Sequence, residues 1–277
     1  PLMSTTAIAT PTTSRPTTGH NLTFGRLIAS ELIKAKSLPS TLWCAGITVA
    51  MGLAISALTL GLTGRTTLGP HPLPAGMMMG LTLAAVFVPI IAGCLLASIE
   101  YANNSIRTTL ATTQHRMQWL GAKAVASVIV QAITQVVSIV LCTIVATIIC
   151  SVRGLPMTVD AQDLGTLVRA GLAAIILQLM GLALGMMTRS TAASITIAVA
   201  IMWVLRTVAA MLIPLLPWIA HTMPAWPYTA ATNMVGGTDV ASVSGWWMTQ
   251  TGGSVICAIW LVVLSAGAAV LLQRRDA

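Results

Sequence analysis

Residues 41–61 read TLWCAGITVAMGLAISALTLG, without one charged side chain. A helix needs about 20 mostly apolar residues to cross the hydrocarbon core of a bilayer, so this stretch predicts a membrane span. Working outward, further uncharged runs fill 66–99, 124–152, 170–188, 190–205, 207–238 and 240–273. The run at 66–99 opens with TTLGPHPLPAG, a turn-rich loop, which leaves only its second half to span. Arg206 interrupts a run whose first part reads as one helix. Six spans follow, near Thr41–Gly61, Met77–Ile99, Lys123–Cys150, Thr166–Met187, Thr191–Ile213 and Gly252–Leu272. With 56% hydrophobic and 7% charged residues over 277 positions, the composition is that of an all-α membrane protein and excludes a soluble globule.

Orientation follows from the basic residues, which favour the cytoplasmic side. With the N-terminus inside, the inner segments hold Arg15, Arg26, Lys34, Lys36, Arg107, Arg116, Lys123, Arg189, Arg274 and Arg275, ten of the fourteen Lys and Arg. Arg65, Arg153 and Arg169 fall outside. The net charge of +8 therefore reads as topology rather than affinity for nucleic acid. Both termini are expected in the cytoplasm.

Three non-spanning segments carry their own signals. Residues 1–20 are Thr-, Ser- and Pro-rich, a composition that predicts disorder, ahead of a single transmembrane domain over 21–277. Next comes RLIASELIKAKS, residues 26–37, a knot of charge in a chain that has little. On a helical wheel Phe24, Leu27, Ile28, Leu32, Ala35 and Leu38 share one arc, and Arg26, Ser30, Lys34 and Ser37 the other. This predicts an amphipathic interfacial helix over 22–38. Glu31 falls inside the apolar arc and needs a partner, since burying a lone carboxylate is costly. Lys34, one turn on, is one candidate; a basic residue of the segment 100–123 is the other. Between spans five and six, 214–250 holds four prolines together with Trp218, Trp226, Tyr228, Trp246 and Trp247. Aromatic rings favour the headgroup layer, so short helices lying in or dipping into the outer leaflet are expected there.

Catalytic and metal chemistry find little support. The five cysteines lack CxxC spacing, and the four histidines are scattered through loops with no HExxH. GxxxxGK[ST] is absent, so the chain has no phosphate-cradling P-loop.

Three stretches, RLIASELIKAKSLPSTLW (26–43), ASIEYANNSIRTTLATTQHRMQWLGAK (97–123) and GLALGMMTRSTAASI (181–195), taken in order with the six-span pattern, resemble the permease subunits of bacterial ABC-2-type transporters. The resemblance covers nearly the whole chain after residue 20. It departs at TTQH (112–115), where a proline often stands in the family. The resemblance implies an exporter subunit without enzymatic activity of its own. It would pair with a second permease chain, the same or paralogous, and be driven by a separate ATP-binding cassette ATPase that carries the ATP and Mg. No cofactor is expected on this chain. The resemblance further implies that Glu31, Glu100, Tyr101, Ile106, Arg107, Leu110 and Arg116 couple the spans to that ATPase, with a coupling helix near Asn103–Arg116.

Spans two and five are expected to line the pathway, which makes Met77, Met78, Phe87, Met202 and Trp203 wall candidates and favours amphipathic or hydrophobic substrates such as drugs, antimicrobial peptides or lipid-like molecules. Gly76, Gly80, Gly181 and Gly185 mark spans two and four for close packing, and Pro89 predicts a kink in span two. Two other classes stay open: an ion-coupled carrier, which needs ionisable groups within spans and finds only Arg206, and an intramembrane enzyme.

Overall fold

The structure, a computed structural model, describes residues 23–62, 72–102, 116–236 and 245–275. The described residues contain no strand. In chain order the helices are α1 Phe24–Ser37, α2 Pro39–Leu62, α3 Pro72–Ala102, α4 Arg116–Arg153 and α5 Ala161–Thr188. Then come α6 Thr191–Leu212, α7 Pro227–Val235 and α8 Gln250–Arg275. Six of them, α2 to α6 and α8, are long and apolar enough to cross a membrane, which is the architecture of a multi-pass membrane protein. The expected tail over 1–20 lies outside the described residues.

Local chemistry explains the joint between α1 and α2. Leu38 adopts φ −82° and ψ 117°, the extended geometry that a following proline imposes. Pro39 then opens α2 from the first helical position, where its missing N–H costs nothing. The buried face of α1 is Leu27, Glu31 and Ala35, one residue per turn and centred on the carboxylate. Phe24, placed on the apolar arc by the wheel, is 45% exposed.

Helix α4 begins seven residues before the expected span edge at Lys123, because nothing in RMQWLGAK breaks a helix. Its 38 residues reach about 57 Å at 1.5 Å per residue, well beyond a hydrocarbon core of ~30 Å. The first turns of α4, with Trp119 and Lys123, can therefore stand clear of the hydrocarbon. Helix α3 continues through Pro89 as one element. Helix α6 contains a π-helical turn over Ala200–Val204.

Helices α3 and α5 form the closest pair. A Cβ on Gly181 would land on the carbonyl oxygen of Ile90, and one on Gly93 would land on that of Gln178. At Gly185 it would stand 2.6 Å from the Cβ of Ala97. Spans two and four thus meet closely, with Gly181 and Gly185 at the contact. Gly76 and Gly80 instead face α2, against Leu60, Gly52 and Ser56. Gly93 lies roughly 140° around the helix from Gly80 at 3.6 residues per turn, so α3 presents one small-residue face to each neighbour.

Among the described residues, apolar cores flank this pair. One gathers Ile90, Leu177, Met180, Met202 and Ala231; a second Leu60, Met77, Leu81 and Cys142; a third Ala35, Trp119, Met186, Ala268 and Leu272. In the 214–250 segment, a 3-10 stretch over Pro217–Ala225 leads into α7. Every residue of α7 except the half-buried Tyr228 is buried, and it packs against α5 and α8. Trp218 and Trp246 stay exposed. All five cysteines are unbridged.

Candidate functional site: a buried charge junction and an opposite-end cavity

At one end of the bundle, Glu31 is 4% exposed yet carries a full complement of cations. Its Oε1 accepts from Lys34 Nζ at 2.6 Å and its Oε2 from Lys123 Nζ at 3.1 Å. The two alternatives left by the sequence, Lys34 and a basic residue of 100–123, are both engaged, the first on α1 and the second, Lys123, on α4. Lys123 is nearly as buried as the acid, whereas Lys34 is 43% exposed. Burial alone would raise the Glu31 carboxyl. The Lys123 ammonium, together with the hydrogen bond and charge of Lys34, outweighs it and holds the group below its ordinary value of 4.5. Lys123 Nζ also lies 5.3 Å from the ring centre of Trp119, one turn back on α4.

Tyr101, at the end of α3, belongs to the same neighbourhood. Its ring packs on the core of Trp119 and Met186, its hydroxyl lies 3.9 Å from the Met186 sulfur, and the Arg189 guanidinium stands 5.4 Å from its ring centre. Arg189 caps α5 in the left-handed region, φ 55° and ψ 14°, a conformation that costs a non-glycine residue energy. Its N–H donates to Gly185 O at 3.0 Å. The junction thus ties α1, α3, α4, α5 and α8 at the end where the chain passes from α3 to α4.

Of the expected coupling residues, Glu31 and Tyr101 are brought to this junction. Glu100 lies in α3 and Arg116 opens α4, but their side chains are outside the described residues. Ile106, Arg107 and Leu110, with the expected coupling helix, are also outside them. Trp119, Met186 and Arg189 were missed. The RMQWLGAK pattern, a Trp and a Lys four apart, was a readable signal for the first.

The wall candidates separate. Phe87 on α3 and Trp203, within the π-helical turn of α6, stack, ring centres 4.7 Å apart and planes within 11°. Met77 and Met202 are fully buried in two different cores. Met78 lines a cavity of about 510 Å³ at the end of the bundle opposite Glu31. Its apolar side includes Met79 and Leu83 of α3, and its polar side Asp163, Thr166 and Gln250. Tyr228 of α7 is part of the wall, with the Arg206 guanidinium 4.2 Å from its ring centre. Arg206, the residue that interrupts span five, is thereby seated on an aromatic face.

Between the two ends runs a feature that the sequence reading overlooked. Lys123, Ser127, Gln131, Thr134, Gln135 and Ser138 are all buried along one side of α4. They span about 22 Å of helix. Gln178 of α5 donates to Ser127 Oγ at 2.8 Å. The spacing of three and four residues was visible inside an apolar run, but an average over the run conceals it.

Among the described residues no three His, Cys, Asp or Glu are grouped to hold a metal ion. Comparison with protein-family models and with curated proteins finds no match.

Proposed function

We propose that the chain is the membrane-spanning permease subunit of an ATP-driven exporter of the ABC-2 type, with both termini and the 103–115 segment in the cytoplasm of a bacterium. The observation that carries this reading is the buried Glu31–Lys123 pair. It fastens α1 to the first turns of α4, the helix that emerges directly from 103–115. A push on that segment by a partner ATPase reaches α4 first. The ion pair passes it to α1, and the Trp119–Met186 packing passes it to α5 and α8. On this reading α1 lies at the membrane surface with Arg26 and Lys36 toward the headgroups. Helix α7 and the preceding 3-10 stretch enter the bundle from the opposite face.

A buried ion pair adds little net stability over an apolar contact, but breaking one is expensive. That asymmetry suits a joint that must move as a unit. The opposite-end cavity, with Met78, Met79 and Leu83 on one side and Asp163, Thr166 and Gln250 on the other, fits an amphipathic cargo. Methionine is an adaptable lining for varied apolar shapes. Reconstituted with its ATPase, the chain should give transport that requires ATP and hydrolysis that the cargo stimulates. Transport driven by an ion gradient without nucleotide would contradict the proposal.

A further inference from the structure

Midway along it, the polar seam of α4 borders a built site. Thr41 of α2, Gln131 of α4 and Gln178 of α5 line a void of about 10 Å³ together with Cys44, Thr48 and Leu96. The first three are 8%, 4% and 2% exposed. Each brings a polar atom with no partner: the Thr41 hydroxyl, the Gln131 Nε2 and the Gln178 Oε1. A lone buried amide or hydroxyl is costly in an apolar surrounding, and lipid offers none of them relief.

We propose that this void is a specific site for one water molecule, which joins α2, α4 and α5. The stoichiometry closes. The water accepts from Gln131 N–H, donates to Gln178 Oε1, and exchanges a third hydrogen bond with the Thr41 hydroxyl. Three partners is the usual number for a buried water, and the void has the volume of one. The Gln178 amide nitrogen donates to Ser127 O at 3.2 Å and to Ser127 Oγ at 2.8 Å, which leaves its oxygen for the site. The chemistry calls for a ligand that both donates and accepts. A bare sodium ion would meet the Gln131 N–H donors head on. The consequence is mechanical: a water-bridged contact can re-form after a small displacement, so α4 can shift against α2 and α5 without stranding a polar group. The site stands whether or not an ATPase drives the chain.

Radiolytic hydroxyl labelling of the full chain in lipid nanodiscs, read by mass spectrometry, tests it, because radicals form from water held in place. Leu96 lines the void; Leu182, in the same apolar core, and Leu177, in another, do not. Leu96 should be oxidised well above Leu177 and Leu182. Thr41→Val, which keeps the shape and removes the hydroxyl, should reduce that labelling several-fold; Gln131→Leu serves as the second variant should the first fold poorly. Labelling of Leu96 no greater than that of Leu177, or unchanged in the variant, overturns the site. Suppression by sodium chloride but not by choline chloride overturns it too, by assigning the void to a cation.

Discussion

Lys123 and Lys34 both bind Glu31, yet they are not equivalent. Removing Lys123 leaves a buried carboxylate with one partly solvated partner, whereas removing Lys34 takes away a cation that water already screens. Lys123→Met should therefore cost about 3 kcal/mol, the low end for breaking a buried pair. Lys34→Met should cost less than about 1 kcal/mol, as exposed pairs do. Thermal unfolding in detergent distinguishes them, and Glu31→Gln combined with Lys123→Met should recover part of the loss. The pH dependence has a definite sign. Glu31 is held below 4.5 in the folded chain, so its contribution is present above the unfolded-state value and is lost as pH falls through the folded one. Wild type should lose melting temperature below about pH 4.5 more steeply than Glu31→Gln; parallel curves would refute the pairing. The need for a partner was readable from sequence, since a carboxylate on an apolar arc demands one. Which lysine is buried was not, because that depends on α4 continuing past the expected span edge.

At the scale of elements, the α3–α5 contact is set by backbone approach. Gly93→Ala and Gly181→Ala each drive a methyl into a carbonyl oxygen that cannot move without its helix. Each should lower stability by about 1–3 kcal/mol, the usual range for overpacking. Gly46→Ala meets nothing within 4 Å and should leave it unchanged or slightly raised; recovery of monodisperse protein and its melting temperature measure all three. The wall candidates divide by the same logic. Met78→Ala should change the response to cargo with stability intact, because Met78 faces the cavity. Met77→Ala and Met202→Ala should instead cost about 2–5 kcal/mol as buried truncations. Length and hydropathy made the six spanning helices legible, although α3, α4 and α5 begin five, seven and five residues ahead of the expected edges. The partner of each glycine face was not legible, since periodicity gives a face and not its neighbour. Short helices lying in or dipping into the outer leaflet were expected over 214–250; the structure shows α7 there, packed against α5 and α8 with Ala230 and Ala231 in the core. The polar seam escaped because single Ser, Thr and Gln residues, spaced through a run such as 124–152, barely lower its mean hydropathy.

For the molecule as a whole, the structure joins its two ends through a closely packed α3–α5 pair. One end holds the charge junction next to the 103–115 connection, and the other holds the Met-lined cavity. Rigid helices fastened at one end by an ion pair can carry a displacement to the other, which is what an externally powered permease requires. The sidedness of this arrangement is testable: a cysteine at Leu110 should react with an impermeant maleimide only after the membrane is opened. The most direct measurement is purification of the tagged full chain in mild detergent, with its partners identified and counted by mass spectrometry. The account predicts an ATP-binding cassette ATPase in fixed ratio, lost when Ile106, Arg107 and Leu110 are replaced together and retained in Met78→Ala. A chain that purifies alone and still transports would contradict it.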